Sequence, residues 1–289
     1  YAFLTSNVTY KNPRKAMEDS IACLRKGKGK LTIGSDTYLP NKFWVAGIAD
    51  KNEVIDITYT KASVYDGTYN PTTDTTRVLE GSGTTGDPFL IKSVEDLLWV
   101  EANTHKVDHA SSYELKTSID MTGYKTWYGI CSYLSTNTTW KWFKGNFIGN
   151  GYTVAGMNLE KNYNGLAFIS NIDGGVVTDF TLQGSIKSSA TGGRAGALCY
   201  QGKNATISNV NSYVSVTYTA TSGSVYAGGV LGSVPSSTVT NIVNYADITS
   251  QTGSTMLGGV VGYANVDSTF IRCINYGAVN SKGKQVGGI

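Results

Sequence analysis

A short phrase of small and apolar residues returns about every 30 residues, and this period limits the fold more than any other feature. The phrase reads NGLAFIS, AGALCYQ, AGGVLGS, LGGVVGY and VGGI in its five occurrences. Its anchoring glycines are Gly165, Gly196, Gly228, Gly258 and Gly287, at steps of 31, 32, 30 and 29 residues. A period of roughly 20–50 residues is typical of proteins whose repeats stack on one another.

A second phrase follows each of the first four glycines. Its four copies read VVTDFTLQGSI, TISNVNSYVSV, TVTNIVNYADI and TFIRCINYGAV. Alignment gives an apolar column of Phe180, Val210, Ile242 and Cys273, and a second apolar column of Ile186, Val216, Ile248 and Val279. A third column contains the aromatic residues Tyr213, Tyr245 and Tyr276. Apolar and polar residues alternate within each copy, which predicts β-strands.

A unit of about 30 residues made of short strands cannot bury its own apolar face, but it can do so against a neighbouring copy. Successive coils would lie ~4.8 Å apart, so that like residues stack on like. The predicted fold is therefore mainly β, a right-handed parallel β-helix. The paired glycines are expected at coil corners, where one glycine can take positive φ and a missing Cβ lets coils approach closely. A β-sandwich with glycine-rich turns is the alternative, and the near-equal steps count against it.

These phrases also resemble a known repeat type. GGVLGS, GGVVGY, NYADI and NYGAV are similar to the GLUG-type repeats of large bacterial surface proteins, which include adhesin-like proteins and non-catalytic regions of IgA-specific metalloproteases. Upstream, GSGTTGDPFLIKSVEDLLWV resembles the strand and capping helix that introduce such a β-helix, and FKGNFIGNGYTVAGMNL resembles its first coil. The resemblance covers residues 81–289. It implies a fold and a surface location, and it implies no particular chemistry.

The residues predict the capping helix independently of this resemblance. Ser93 is a good N-cap residue, and Asp96 stands where the acidic partner of a capping box is expected. The apolar face that this helix would bury consists of Val94, Leu97, Leu98 and Val100.

The chain is therefore divided into three parts. Residues 143–289 are expected to form the β-helix, truncated at its C-terminal side, and residues 81–142 to hold the linker, the cap and the segment leading into the first coil. Residues 1–80 are predicted to form a small α+β or β-sandwich module, with a helix from about residue 12 to residue 25 followed by strands.

Composition excludes several classes of function. A net charge of +3 is too small to indicate nucleic-acid binding, and no apolar run reaches the length of a membrane span. The four cysteines contain no CxxC, although Cys23 and Cys131 could form a disulfide. His105 and His109 have metal-ligand spacing in HKVDH, but Lys106 occupies the place of the HExxH glutamate, so neither a metal nor a cofactor is predicted.

Many parallel β-helices are polysaccharide lyases or hydrolases, so catalysis is the main rival to a binding function. Glycoside hydrolysis needs two carboxyl groups roughly 5–10 Å apart. Asp179 is the sole carboxylate in its aligned column, and so is Asp247. No two acidic residues occupy matching positions on neighbouring coils. We therefore predict no catalytic residue in this chain.

Aromatic residues are the remaining candidates for a binding site. Exposed aromatic rings beside hydroxyl and amide groups can stack on sugar rings, although the same residues could instead fill the core or form a supporting ladder. The candidate residues are Trp127, Tyr128, Trp140, Trp142, Tyr213, Tyr245 and Tyr276.

The sequence thus predicts an extracellular cell-surface protein, acting as an adhesin-like or structural stalk that presents a binding face to glycans or to host or partner surfaces. Many shallow contacts along such a rod would add through multivalency. The alternative is a non-catalytic binding region of a larger secreted enzyme, either a metalloprotease or a carbohydrate-active enzyme. A phage fibre or an extracellular filament subunit is a further alternative, and the ends of the solenoid could support self-association.

Overall fold

The chain folds as a parallel β-solenoid of about five turns, with very little helix. A computed structural model describes residues 30–44, 55–104, 109–132, 141–264, 267–283 and 285–289. Within these residues the helix α1 spans Val94–Thr104. The strands are β1 Leu31–Ile33, β2 Asp36–Trp44, β3 Ile55–Val64, β4 Phe89–Ile91, β5 Tyr113–Leu115, β6 Ser118–Asp120, β7 Phe147–Ile148, β8 Thr153–Lys161, β9 Asn171–Asp173, β10 Val176–Ser188, β11 Gly193–Ala195, β12 Gln201–Lys203, β13 Thr206–Tyr218, β14 Ser224–Gly228, β15 Leu231–Ser233, β16 Thr238–Asn244, β17 Ile248–Ser250, β18 Ser254–Gly258, β19 Val261–Tyr263, β20 Thr269–Ile271, β21 Ile274–Asn275, β22 Val279–Ser281 and β23 Gln285–Gly287.

Like residues stack on like residues along the largest sheet, as the aligned phrases predict. Strands β10, β13 and β16 pair in parallel, which places Phe180 beside Val210 and Val210 beside Ile242. Cys273 lies at the matching position of the next coil, between two residues that pair with β16. The second apolar column pairs through Ile186, Val216, Ile248 and Val279. The prediction of a parallel β-helix is confirmed.

Helix α1 packs on the core of the first coils. Its four predicted apolar residues are fully buried and belong to the same hydrophobic cluster as Trp127 and Phe168. The backbone N–H of Asp96 donates to Ser93 Oγ at 3.3 Å, and a carboxylate oxygen of Asp96 accepts from the N–H of Lys92 at 2.9 Å. The sequence prediction of a capped helix that buries one apolar face is confirmed.

The described N-terminal strands extend the solenoid sheet. Strands β1, β2 and β3 form antiparallel pairs, and β3 then pairs in parallel with β6, with Ala62 beside Ser118. The predicted helix near residues 12–25 lies outside the described residues. The proposed boundary near residue 80 stays a prediction.

The corner glycines serve a different purpose from the one expected. Gly165 has a φ of 95°, but neither glycine of the three GG pairs has positive φ, so that part of the prediction is wrong. The part concerning close approach is confirmed: a Cβ on Gly228 would lie 2.5 Å from Val260 O of the next coil, and one on Gly258 would lie 2.9 Å from Ile289 O. The chain is extended up to these glycines, at which β14 and β18 end.

The left-handed conformation appears instead in a column of polar residues. Asp179, Asn209, Asn241 and Arg272 have φ values of 64°, 55°, 56° and 52°. Asn209 Nδ2 donates to Asp179 Oδ1, and Asn241 Nδ2 donates to Asn209 Oδ1, both at 2.7 Å. Arg272 Nε donates to Asn241 Oδ1 at 2.6 Å. Asn and Asp adopt this conformation more readily than most residues, so the column fixes the bend that every coil repeats.

Replacing Asn209 by alanine should destabilise the protein by about 2 kcal/mol. Alanine in the left-handed region costs roughly 1 kcal/mol more than asparagine does, and the two lost side-chain hydrogen bonds cost about 0.5 kcal/mol each at this half-buried position. Urea denaturation of the variant measures the loss. Asn209→Gly is the matched control, because it removes the same hydrogen bonds without the strain and should lose less. Equal losses in the two variants would contradict a strained bend at this position.

Candidate binding surface

Three tyrosines form a continuous stack on the outside of the solenoid. The ring centroids of Tyr213 and Tyr245 are 4.5 Å apart with planes 6° from parallel, and those of Tyr245 and Tyr276 are 5.3 Å apart at 19°. These separations follow the spacing of parallel strands. Tyr213 and Tyr245 are half-buried, and Tyr276 is 64% exposed. We call these three residues the tyrosine ladder.

Stacking limits what the ladder can offer a ligand. Neighbouring rings cover each other's faces, so a ligand arriving from the side meets ring edges and phenol groups. Within the described residues, Tyr276 ends the stack. Both faces of the Tyr245 ring are covered, as the alternative of a supporting ladder requires, and stacking of these tyrosines on sugar rings stays a prediction.

Two asparagines hold the turns that place the tyrosines. Asn244 is fully buried, and its Nδ2 donates to Ala246 O at 2.7 Å and to Asn275 Oδ1 at 2.8 Å. Asn275 Nδ2 donates in the same way to Gly277 O at 2.8 Å. Each asparagine fixes the chain just beyond it, so the tyrosine that follows keeps its position on the outside.

The second glycine of each GG pair makes room for these asparagines. A Cβ on Gly229 would lie 2.4 Å from Asn244 Nδ2, and one on Gly259 would lie 2.2 Å from Asn275 Cγ. The two asparagines align in the repeats, but their dependence on glycine was not predicted from the sequence. A signal was present, because the coil with Ala197 in place of the second glycine carries Ser212 in place of asparagine.

Polar groups surround the ladder on the same sheet. Ser215 and Thr217 continue β13 beyond Tyr213, and Thr217 pairs with Thr249 on the next coil. On the preceding coil, Lys187 Nζ pairs with Glu160 Oε1 at 2.5 Å. The surface therefore combines phenol, hydroxyl and charged groups that can hydrogen-bond to a polar polymer.

Trp127 does not contribute to this surface. Its side chain is fully buried beneath α1 and stacks on Phe168, with ring centroids 5.7 Å apart and planes 11° from parallel. The prediction that Trp127 binds glycans is wrong, because its indole fills the core where α1 covers the first coils. The alternative interpretation, a core residue under the cap, is correct for this tryptophan.

The other aromatic candidates near the cap are partly covered. Lys161 Nζ lies 3.6 Å from the centroid of the Tyr128 ring, and Lys203 Nζ lies 4.4 Å from that of Trp142. Both rings are half-buried, and a cation already occupies one face of each. Trp140 lies outside the described residues, so its role in binding stays a prediction.

Three acidic residues of the repeats contact a polar or basic group. Asp173 pairs with Lys203 at 3.2 Å, Asp179 accepts from Asn209, and Asp247 Oδ1 accepts from the N–H of Ala278 at 2.8 Å. These contacts place the carboxylates in structural hydrogen-bond networks.

Of the two histidines, His109 alone lies among the described residues. Burial lowers the pKa of His109, whose Nε2 contacts the hydroxyl of Tyr113. His105 lies outside the described residues, and the described part of the chain contains no group of three or more potential metal ligands. Cys23 is likewise outside, so its pairing with Cys131 stays a prediction. No described helix is long and apolar enough to cross a membrane.

Comparison with known proteins gives one sequence relative and one partial structural likeness. No family model matches the chain. The chain is 30% identical to halomucin of Haloquadratum walsbyi over 212 residues. The match covers 71% of this chain and 2% of halomucin. A crystal structure of a candidate immunoglobulin A1 protease from Bacteroides ovatus aligns with a TM-score of 0.47 at 15% identity, over 70% of this chain and 69% of that one. The chain thus spans a very small part of halomucin, and the GLUG-type similarity remains a resemblance.

Proposed function

We propose that this chain is a rigid, non-catalytic segment of a larger cell-surface protein and that its tyrosine ladder binds glycans in an adhesin-like role. The observation that carries the proposal is the tyrosine ladder itself, on a sheet that also carries the hydroxyls of Ser215, Thr217 and Thr249. Halomucin, to which the chain is similar in sequence, is a cell-surface protein, and this supports an extracellular location. The contacts made by Asp173, Asp179 and Asp247 support a non-catalytic role.

The ladder would bind by repetition of weak contacts. Its phenol groups repeat at the coil spacing along the solenoid, and the column of Thr217 and Thr249 repeats beside them. A polysaccharide laid along this face would form one or two hydrogen bonds per coil, each contributing about 1 kcal/mol. Because the parallel strands hold the groups in fixed positions, little conformational entropy is lost on binding, and the contacts add.

A glycan array probed with the whole chain tests this proposal. We expect the triple variant Tyr213→Phe, Tyr245→Phe and Tyr276→Phe, which keeps the stacked rings and removes three hydroxyls, to bind at least about tenfold more weakly. Tyr152→Phe, which removes a hydroxyl from a half-buried tyrosine outside the ladder, should bind as the original chain does. Retention of full affinity by the triple variant, or failure of the original chain to bind any glycan, would leave a purely structural role.

A further inference from the structure

A second aromatic surface lies where two sheets of short strands meet, away from the tyrosine ladder. One sheet consists of β11, β14, β18 and β23, and the strands β15 and β19 pair beside it. A Cβ on Gly232 would lie 3.1 Å from Ala195 N, and one on Gly262 would lie 2.5 Å from Ala227 N. The backbones of the two sheets therefore come into contact at this junction, where the two glycines contribute no side chain.

An arginine occupies this junction between two aromatic rings. The guanidinium carbon of Arg194 is 5.7 Å from the ring centroids of both Tyr200 and Tyr226. Tyr226 is in register with Arg194 on the next coil, and its ring meets that of Tyr263 at 5.5 Å and 64°. We call the residues Arg194, Tyr200, Gln201, Tyr226 and Tyr263 the Arg194 corner.

The hydrogen-bonding capacity of Arg194 is largely unused. A guanidinium carries five N–H donors in a fixed planar fork. The single side-chain acceptor in reach is Gln201 Oε1, 3.4 Å from Nη1, among the residues that the structure describes. Within the same residues Nε is buried without a hydrogen-bond partner, and no carboxylate forms an ion pair with this arginine.

Arg77 shows what is missing. It pairs with Asp74 at 2.9 Å and with Asp96 at 2.7 Å. A planar fork that lacks such a partner is the group best suited to bind a carboxylate or a sulfate through two parallel hydrogen bonds. The tyrosines beside it meet edge to face, so part of a ring surface remains for an apolar sugar face.

We infer that the Arg194 corner binds an acidic sugar, with its carboxylate or sulfate ester on Arg194 and its ring against Tyr226 or Tyr263. The aromatic rings orient the guanidinium and keep it partly dehydrated, which strengthens its hydrogen bonds to an anion. The inference does not depend on glycan binding by the tyrosine ladder, because the two surfaces lie on different sheets.

Calorimetric titration of the whole chain tests the inference. The ligands are tetragalacturonic acid, which carries carboxylates, a sulfated cellotetraose, and unmodified cellotetraose as the neutral comparison. We expect the two acidic tetrasaccharides to bind, with the higher affinity identifying the preferred anion, and the neutral one to bind far more weakly. Arg194→Gln should weaken acidic binding by roughly 10–100-fold, the range of one charge-assisted hydrogen-bond pair.

Matched variants separate this site from general charge effects. Arg272→Gln makes the same chemical change elsewhere and should leave acidic binding unchanged, as should the triple tyrosine-to-phenylalanine variant of the ladder. Arg194→Lys keeps the charge but loses the planar fork, so about tenfold weaker binding is expected. If Arg194→Gln lowers the melting temperature, its weaker binding reflects unfolding as well as the lost guanidinium. Binding of the acidic tetrasaccharides is then measured with Arg194→Lys and Tyr263→Ala.

Three results would overturn the inference. Absence of binding by both acidic tetrasaccharides would show that Arg194 only packs between its tyrosines. Equal binding of cellotetraose would remove the role of the anion. Equal weakening by Arg194→Gln and Arg272→Gln would show attraction to net charge without a site.

Discussion

Replacing Gly228 by alanine is expected to lower the free energy of unfolding by about 3 kcal/mol, a large effect for one methyl group. The new Cβ would lie 2.2 Å from Leu231 O, 2.5 Å from Val260 O and 2.7 Å from Gly262 N. All three are backbone atoms, and two belong to the next coil, so no side chain can rotate away. The steric clash is relieved only if the coils separate where Gly228 pairs with Gly258, and this separation weakens the parallel strand pairing. Urea denaturation followed by circular dichroism measures the change.

Gly253→Ala is the control for this substitution. A Cβ on Gly253 would meet no atom within 4 Å, and its φ is not positive. The expected change is within about 0.5 kcal/mol. Similar losses at Gly228 and Gly253 would show that the repeated glycines are not required for close approach of the coils.

The stacking of the coils was predictable because it depends on two simple regularities. Side chains alternate across a strand, and parallel strands lie at a fixed spacing. Residues in equal positions of a repeat must therefore meet, as Phe180, Val210 and Ile242 do. The capping helix was predictable for a similar reason, since both its N-cap and its apolar face are local patterns.

The backbone at the bends was not predictable from composition. Glycine has two uses, positive φ and the absence of a side chain, and sequence alone does not say which use applies. The structure assigns the second use to Gly228 and Gly258. Positive φ falls instead on a column that ends in Arg272, a residue type with no special preference for that conformation. Arg272 adopts it because the three coils before it impose the bend.

The candidate sites were predictable only in part. Aligned tyrosines indicate that rings meet, but their mutual angle decides whether faces or edges are exposed, and that angle depends on packing around Asn244 and Asn275. The Arg194 corner was missed because its column changes residue type, from Arg194 to Tyr226 to Met256. A column without repetition gives no periodic signal.

The tryptophans near the cap show the same limit. Trp127 and Trp142 lie in a segment without strand periodicity, so the sequence does not indicate which side of the chain faces the core. The structure buries Trp127 fully, whereas Trp142 remains half-buried. The aromatic cluster that contains Trp127 is therefore a property of the folded first coils, and it is expected to contribute strongly to stability.

Phe168→Ala should lower the free energy of unfolding by about 3–5 kcal/mol, because it opens a cavity at the centre of this cluster. Phe168 is fully buried, and its ring centroid lies 5.7 Å from that of Trp127, 5.3 Å from that of Phe147 and 5.7 Å from that of Phe180. These neighbours sit on parallel strands or under α1, so they cannot collapse into the space. Urea denaturation measures the loss, and Val78→Ala, at a side chain that is 89% exposed, should change stability by less than about 0.5 kcal/mol. A loss below about 1 kcal/mol at Phe168 would mean that the first coils are not the tightly packed base from which the later coils extend.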